Sequence, residues 1–312
     1  MAQEILQVSP LPPFVMSALQ QEDYVVHDHT HIKDPGALSK VTAIVGTAAA
    51  KVDRKLLMML PNLKLIAICG VGYDGVDVNA AKEKGIVVTH TPGVLTDDVA
   101  DLGFALLLSI GRRIPQADRF VRNGDWVDDF FPLTHKVTGS RLGVIGMGRI
   151  GRAIAKRAAA FDMTIAYTGR AAKPDLTYVY YPTVAALAAQ VDYLMVAVPG
   201  GEDTKNLINA QVLQALGPKG CLINVARGSV VDQPVLVQAL KEKTIAGAAL
   251  DVYWDEPIVD PELRRLPNVV LTPHMASGTD ETRRAMAALT MDNLRAFYKK
   301  QPLPTPVPEC LA

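Results

Sequence analysis

A chain of 312 residues is long for one domain and comfortable for two, and its 49% hydrophobic content can supply two cores. Lys plus Arg and Asp plus Glu balance at 32 each with no basic run, which argues against nucleic acid as a partner. An acid at Glu4 where a signal peptide carries lysines, no apolar run of membrane-spanning length, and three scattered cysteines (Cys69, Cys221, Cys310) predict a soluble cytoplasmic protein with reduced thiols, no membrane partner and no disulfide frame.

In chain order, short apolar runs alternate with helical segments. Residues 5–8, 24–26, 41–45, 63–68 and 86–89 have strand character, and helices are predicted near 14–21, 52–60 and 79–84. This alternation predicts a parallel sheet covered by helices on both faces, an α/β unit without a glycine fingerprint of its own. Within it, His27-Asp28-His29-Thr30-His31 would place three imidazoles on one side of an extended chain. No fourth ligand lies nearby in a polar loop, so no metal is expected. Next comes Cys69-Gly70-Val71-Gly72-Tyr73-Asp74. Glycines at the carboxyl end of a strand expose backbone N–H groups, which makes Val71 and Gly72 a candidate cradle for a substrate carboxylate, with a plain turn as the alternative.

Residues 91–101 lead into a long apolar helix at 102–110 that Thr96 can cap, and the crossing between domains is expected there. The polar segment that follows carries Trp126, Phe130 and Phe131, too apolar for a free loop. It packs either on another subunit or back on its own chain.

The apolar run 142–145 then delivers Gly146-Met147-Gly148-Arg149-Ile150-Gly151 directly before a helix-forming segment. This is the context in which a glycine spacing signals a dinucleotide-binding turn. Gly146 permits the tight turn, Gly148 lets backbone approach the pyrophosphate, and Gly151 lets the helix lie close on the strand. N–H groups of Arg149 and Ile150 then face the phosphates. At the end of the next strand, 164–167, an NAD-preferring fold places an acid on the ribose; here the chain reads Thr168-Gly169-Arg170. Arg170 can pair with a 2′-phosphate or stack on adenine, which favours NADPH with NADH as the weaker alternative; its bland reading is a solvated loop arginine.

Beyond the turn, runs at 193–198, 221–225, 246–250 and 269–271 end in Pro199-Gly200, Ala226-Arg227, Asp251 and Thr272-Pro273-His274. In an open parallel sheet the carboxyl edge binds ligands. An arginine fixed there, Arg227, can hold a 2-oxo acid by its carboxylate and polarise the carbonyl with a two-pronged hydrogen bond. A histidine, His274, can give the carbonyl oxygen a proton, and Glu256 can hold that histidine protonated beforehand. A last helix is expected at about 281–300.

Together, residues 70–77, 91–101, 143–151, 224–232, 248–257 and 272–279 resemble the D-isomer-specific 2-hydroxyacid dehydrogenase family over nearly the whole chain. The resemblance implies two Rossmann-like α/β domains with parallel sheets. A discontinuous, flavodoxin-like substrate-binding domain would comprise residues 1–98 and 283–312, and an NADP-binding Rossmann domain residues 99–282, with a closing cleft and a homodimer. It implies Arg227 as substrate-binding and carbonyl-polarising, His274 as acid/base in contact with substrate, Glu256 as its partner, Asp251 near the nicotinamide amide, and Val71 and Gly72 holding the carboxylate. Candidate nucleotide contacts are Thr96, Gly146, Gly148, Arg149, Ile150, Gly151, Thr168, Gly169, Arg170, Val198, Pro199, Thr204, Val225, Ala226, Asp251 and Ser277. Residues 95–101 and 167–170 resemble the NADPH-dependent glyoxylate/hydroxypyruvate reductase branch, which includes 2-ketogluconate and hydroxyphenylpyruvate reductases. Glu256 stands where the related formate dehydrogenases carry glutamine, and His90 stands where many members carry asparagine before Thr-Pro. The expected activity is reduction of glyoxylate or hydroxypyruvate to the D-2-hydroxy acid. Bulkier 2-oxo acids are the alternative, and a nucleotide-sensing co-repressor is the rival from another class.

Overall fold

The computed structural model describes residues 3–22, 24–28, 30 and 35–311. The chain divides into two compact units, one made of Met1–Leu95 with Ser277–Ala312 and one of Thr96–Ala276. The breaks thus fall at 95/96 and 276/277, where the sequence reading placed them at 98/99 and 282/283. The helix Thr96–Arg112 explains the first difference: it buries Val99, Ala100, Phe104, Leu106 and Leu107 and packs on the strands and helices of the second unit from its first turn. Thr96 is therefore its first residue and not its cap.

The first unit is built on five parallel strands, β1 (Glu4–Gln7), β2 (Val25–Asp28), β3 (Ala43–Thr47), β4 (Leu65–Cys69) and β5 (Val87–Thr89), in the flavodoxin-like order β2-β1-β3-β4-β5. β4 is buried at every position, as expected of an inner parallel strand covered on both faces, which is why it reads as an unbroken apolar run. Ile44, Leu57, Leu63, Ile66, Ile86 and Val88 share its core. Asp53 and Asp77 start the helices Arg54–Met59 and Val78–Glu83 by accepting the N–H of Leu56 and Ala80, each at 2.8 Å. The helix Asp280–Tyr298, capped by Thr279, returns to pack on β4 and on the helix Pro13–Gln21.

Strand β2 runs two residues past its expected end, so His27 belongs to a strand and not to a loop, with its Nε2 2.7 Å from Glu4 Oε2. His29 and His31 lie outside the described residues. Among the described residues, no group of His, Cys, Asp and Glu could hold a metal.

The second unit carries seven parallel strands: β6 (Arg141–Ile145), β7 (Thr164–Thr168), β8 (Val179–Tyr180), β9 (Tyr193–Val196), β10 (Cys221–Asn224), β11 (Gly247–Leu250) and β12 (Val269–Leu271). Their order is β12-β11-β10-β9-β6-β7-β8, so the direction of winding reverses between β6 and β9. A doubly wound sheet opens its ligand crevice at that reversal, outside the carboxyl ends of the strands. Of the polar segment at 122–127, Arg122 and Asn123 close the helix Ile114–Asn123 and Asp125–Val127 form a short turn, after which 129–137 run without regular structure. That helix has no fully buried residue.

Candidate active site

The glycine turn stands at the winding reversal. Gly146 follows β6 with φ of 94°, and a Cβ there would sit 2.7 Å from the carbonyl oxygen of Ala197, just past β9. Both the left-handed backbone and the close approach require glycine. A Cβ on Gly151 would come within 2.1 Å of the Gly146 carbonyl oxygen, so the helix Arg149–Ala159 can sit this close to the turn only with glycine there. Gly148 caps that helix without a side-chain hydrogen bond, and a Cβ on it would meet open space. The first N–H groups of the helix, at Arg149 and Ile150, therefore border an uncrowded surface, which fits a dinucleotide pyrophosphate.

The other predicted nucleotide contacts of this unit lie along the same edge. Thr168 ends β7, and its carbonyl accepts the Gly146 N–H at 3.0 Å; Gly169 and the exposed Arg170 follow. Tyr180 donates its hydroxyl to the Gly169 carbonyl at 3.2 Å and holds that loop in place. Val198 and Pro199 follow β9. Thr204 closes their loop by donating its Oγ1 to the Pro199 carbonyl at 2.8 Å. Val225 and Ala226 follow β10, and Asp251 follows β11. Ser277, Val71 and Gly72 belong to the other unit, the last two just beyond β4.

The chemistry-bearing side chains converge on the adjacent strand ends. His274, one loop beyond β12, has φ of 51°, and its Nδ1 lies 2.5 Å from Glu256 Oε2. The other carboxylate oxygen, Oε1, accepts the Tyr253 N–H at 2.9 Å, so Glu256 is oriented by backbone on one side and aims the imidazole on the other. Burial alone would push the Glu256 carboxyl up. The hydrogen bond and charge of His274, the Tyr253 N–H and the charge of Arg227 outweigh it and hold the group below its ordinary value. With Nδ1 committed to Glu256, Nε2 is the nitrogen left to exchange a proton with a ligand. Both side chains are partly exposed.

Two buried polar residues fix this arrangement. Asp251, fully buried, accepts Thr272 Oγ1 at 2.6 Å and the N–H groups of Met275 and Ala276 at 2.9 Å each, tethering the loop that carries His274 to the end of β11. Asn224, also buried, accepts the Ala226 N–H at 3.0 Å on Oδ1 and donates Nδ2 to the Arg227 carbonyl at 2.9 Å. It shapes the turn from which Arg227 projects. Sequence reasoning gave Asn224 no role, although an asparagine ending a buried apolar strand has to find partners. Tyr253 was missed as well: its hydroxyl reaches the carbonyls of Leu250 at 3.1 Å and Thr272 at 2.9 Å and ties β11 to β12 beside Asp251.

A family model for the NAD binding domain of D-isomer specific 2-hydroxyacid dehydrogenases matches residues 104–276. Glyoxylate/hydroxypyruvate reductase A of Arabidopsis thaliana is 51% identical over 269 residues, covering 86% of each chain. The 2-ketogluconate reductase of Gluconobacter oxydans is 41% identical over 305 residues, 97% of this chain and 98% of its own. Among solved structures, the NADPH-dependent glyoxylate/hydroxypyruvate reductase of Sinorhizobium meliloti, in complex with NADP and malonate, superposes with a TM-score of 0.92 at 43% identity, covering 99% of this chain and 98% of that one. With the glycine turn at the winding reversal and a histidine–glutamate pair on the same sheet edge, the chain belongs to the D-isomer specific 2-hydroxyacid dehydrogenase family, oxidoreductases that interconvert 2-oxo and 2-hydroxy acids.

Proposed function

We propose that this enzyme uses NADPH to reduce a small 2-oxo acid, glyoxylate or hydroxypyruvate first, to the D-2-hydroxy acid, with NADH as the weaker cofactor. The observation that carries the reading is the His274–Glu256 pair at 2.5 Å, on the strand edge that also carries Arg227 and the glycine turn. The second unit holds the nucleotide: Gly146, Gly148 and Gly151 with the N–H groups of Arg149 and Ile150 take the pyrophosphate, and Thr168, Gly169 and Arg170 take the phosphorylated ribose. Thr96, Val198, Pro199, Thr204, Val225, Ala226, Asp251 and Ser277 complete its surroundings. The first unit supplies the N–H groups of Val71 and Gly72 for the substrate carboxylate.

The bound reduced nicotinamide supplies a hydride to the carbonyl carbon. Arg227 anchors the carboxylate and draws electron density from the carbonyl oxygen. His274 passes the proton on Nε2 to that oxygen, completing the hydroxyl, while Glu256 holds Nδ1–H and compensates the charge the ring carries before transfer. Proton and hydride together convert C=O to CH–OH.

A bulkier substrate is the second reading. Ala48, in the small-residue run Gly46-Thr47-Ala48-Ala49, presents only a methyl group to the loop at Gly70, 3.0 Å from where a Cβ on that glycine would stand, while Gly46 packs against Val8 and Ala50. The likeness to a 2-ketogluconate reductase points the same way.

The exposed Trp126, Val127, Phe130 and Leu133 support a homodimer in which a second copy covers them. Phe131 instead stacks edge-on against Phe120, 5.5 Å between ring centroids, under the Arg113 guanidinium. Three free cysteines fit the reducing cytoplasm, and no helix among the described residues is long and apolar enough to cross a membrane.

The test is initial rates of NADPH and NADH oxidation with glyoxylate, hydroxypyruvate, phenylpyruvate and 2-ketogluconate. NADPH activity above NADH, with the two small acids ahead, is expected. Larger acids in front would select the second reading. Nucleotide binding without oxidation by any acid would overturn both.

A further inference from the structure

The loop beyond β4 is held by residues that the reaction scheme does not use. Two successive carbonyls of that loop are gripped by two successive residues at the end of β5. The Thr91 N–H donates to the Gly70 carbonyl at 2.8 Å, and His90 Nδ1 lies 3.0 Å from the Val71 carbonyl oxygen. A carbonyl can only accept, so Nδ1 carries the proton. The imidazole is clamped in turn: its ring meets Tyr73 edge-on with centroids 5.3 Å apart. Its own main chain is bonded at both ends to Thr305, through His90 N–H to the Thr305 carbonyl at 3.2 Å and Thr305 Oγ1 to the His90 carbonyl at 2.6 Å. The buried Asn293, on the long carboxyl-terminal helix, completes the frame by donating to Thr305 Oγ1 at 2.8 Å and accepting the Thr305 N–H at 3.1 Å.

The consequence follows from the peptide plane. In a trans peptide the C=O of one residue and the N–H of the next point in opposite directions. Holding the Val71 carbonyl toward His90 therefore aims the Gly72 N–H away from His90, and holding the Gly70 carbonyl toward Thr91 does the same for the Val71 N–H. Neither N–H has an acceptor among the described residues. We infer that His90 is a positioning residue for substrate: by fixing the Val71–Gly72 peptide from behind, it presents the Gly72 N–H to the carboxylate of the 2-oxo acid. This rests on the reading of Val71 and Gly72 as the carboxylate cradle. His90 itself touches neither substrate nor cofactor in this scheme.

The requirement is a donor at one particular distance from the backbone. Asparagine places its amide nitrogen the same number of bonds from Cα as Nδ1 of histidine; glutamine places it one bond further, and leucine has no donor. The experiment compares H90L, H90N and H90Q in the full-length enzyme. The readouts are kcat and KM for glyoxylate, KM for NADPH, and the ratio of kcat/KM between pyruvate and its methyl ester. The expected result for H90L is a KM for glyoxylate raised about three- to tenfold, the worth of one backbone hydrogen bond, with kcat and the KM for NADPH held. The acid-over-ester ratio should fall by a similar factor, because the ester has no carboxylate for the Gly72 N–H to meet. H90N should restore both quantities, and H90Q should restore them less.

A kcat loss with an unchanged KM, an equal loss on acid and ester, or full restoration by H90Q would overturn the inference while leaving the reductase reading intact. An unsubstituted enzyme that reduces no 2-oxo acid would overturn that reading and the inference with it.

Discussion

Asp251 and Met275 are joined by a hydrogen bond of 2.9 Å from the Met275 N–H to the Asp251 carboxylate, and Met275 directly follows His274. The loop that carries His274 is thus suspended from the end of β11 as well as from its own strand. D251N would face three donors with one acceptor oxygen replaced by an amide that can only donate. Leaving buried donors unpaired costs about 1–3 kcal/mol. We expect a lower denaturation midpoint in urea and a fall in kcat larger than the rise in KM for the 2-oxo acid. An unchanged midpoint would mean that the loop finds its conformation without Asp251.

The same reasoning applies to Asn224, whose two ends hold the Ala226 N–H and the Arg227 carbonyl. N224D keeps the acceptor and its shape but turns a carboxylate oxygen toward a carbonyl oxygen. A loss of about 1–3 kcal/mol in stability and a KM increase for the 2-oxo acid are expected, since the turn that aims Arg227 is disturbed. Binding of NADPH, followed by quenching of intrinsic fluorescence, should persist. Loss of nucleotide binding in parallel with activity would show that Asn224 supports the whole edge of the sheet and not the Arg227 turn alone.

Glu256 gives the site a pH signature. Its folded carboxyl is held below the ordinary value of 4.5, so the stability it contributes is fully present above 4.5 and is lost as pH falls through the lowered value. Urea midpoints of the unsubstituted enzyme and E256Q should therefore differ above about pH 4.5 and converge on further acidification. A gap that persists at the acid end would rule out the carboxylate as its source. H274Q, measured at neutral pH, should lower kcat about 10²- to 10⁴-fold, the usual worth of a positioned acid, with NADPH affinity retained.

What was legible in the sequence was whatever depends on local pattern. Buried parallel strands such as β4 and β10 read as apolar runs because both faces are covered, and the glycine turn was recognisable because strand and helix flank it. Strand ends delivered Arg227 and His274 for the same reason. The positions that support them were not legible. Asp251 and Tyr253 act through the loop beyond the neighbouring strand and His90 through a carbonyl on the neighbouring strand's loop, contacts that no spacing along the chain encodes. Asn224 binds its own turn, two and three residues on, but the apolar run before it does not say which way its amide faces. The first unit boundary falls earlier than expected because the helix Thr96–Arg112 follows the sheet it packs on, while the apolar stretch that signalled it begins later, at 102.

The three thiols should separate by burial. Burial pushes Cys221 up to about 12 and raises Cys69, while Cys310, in the turn Pro308–Cys310, is half-exposed. Only the thiolate attacks a disulfide reagent. Native enzyme treated with an aromatic disulfide at pH 8 should release one equivalent quickly, and C310S should release none on that timescale; denaturation should then expose the remaining two. Rapid reaction of C310S in the native state would place Cys69 or Cys221 in a segment that opens locally.

The role proposed for Arg170, exposed just beyond β7, is testable through the cofactor preference. A 2′-phosphate carries close to two negative charges, and a bidentate guanidinium is its natural partner. R170A removes that partner and nothing that NADH uses, so the KM for NADPH should rise about tenfold, the equivalent of one charge-assisted hydrogen bond of about 1.4 kcal/mol, while the KM for NADH stays within twofold. R170K tests the geometry, since a point charge retains attraction but cannot form the fork, and it should fall between the two. Equal changes for both nucleotides would move the assignment from the phosphate to adenine stacking, because both cofactors carry the same base.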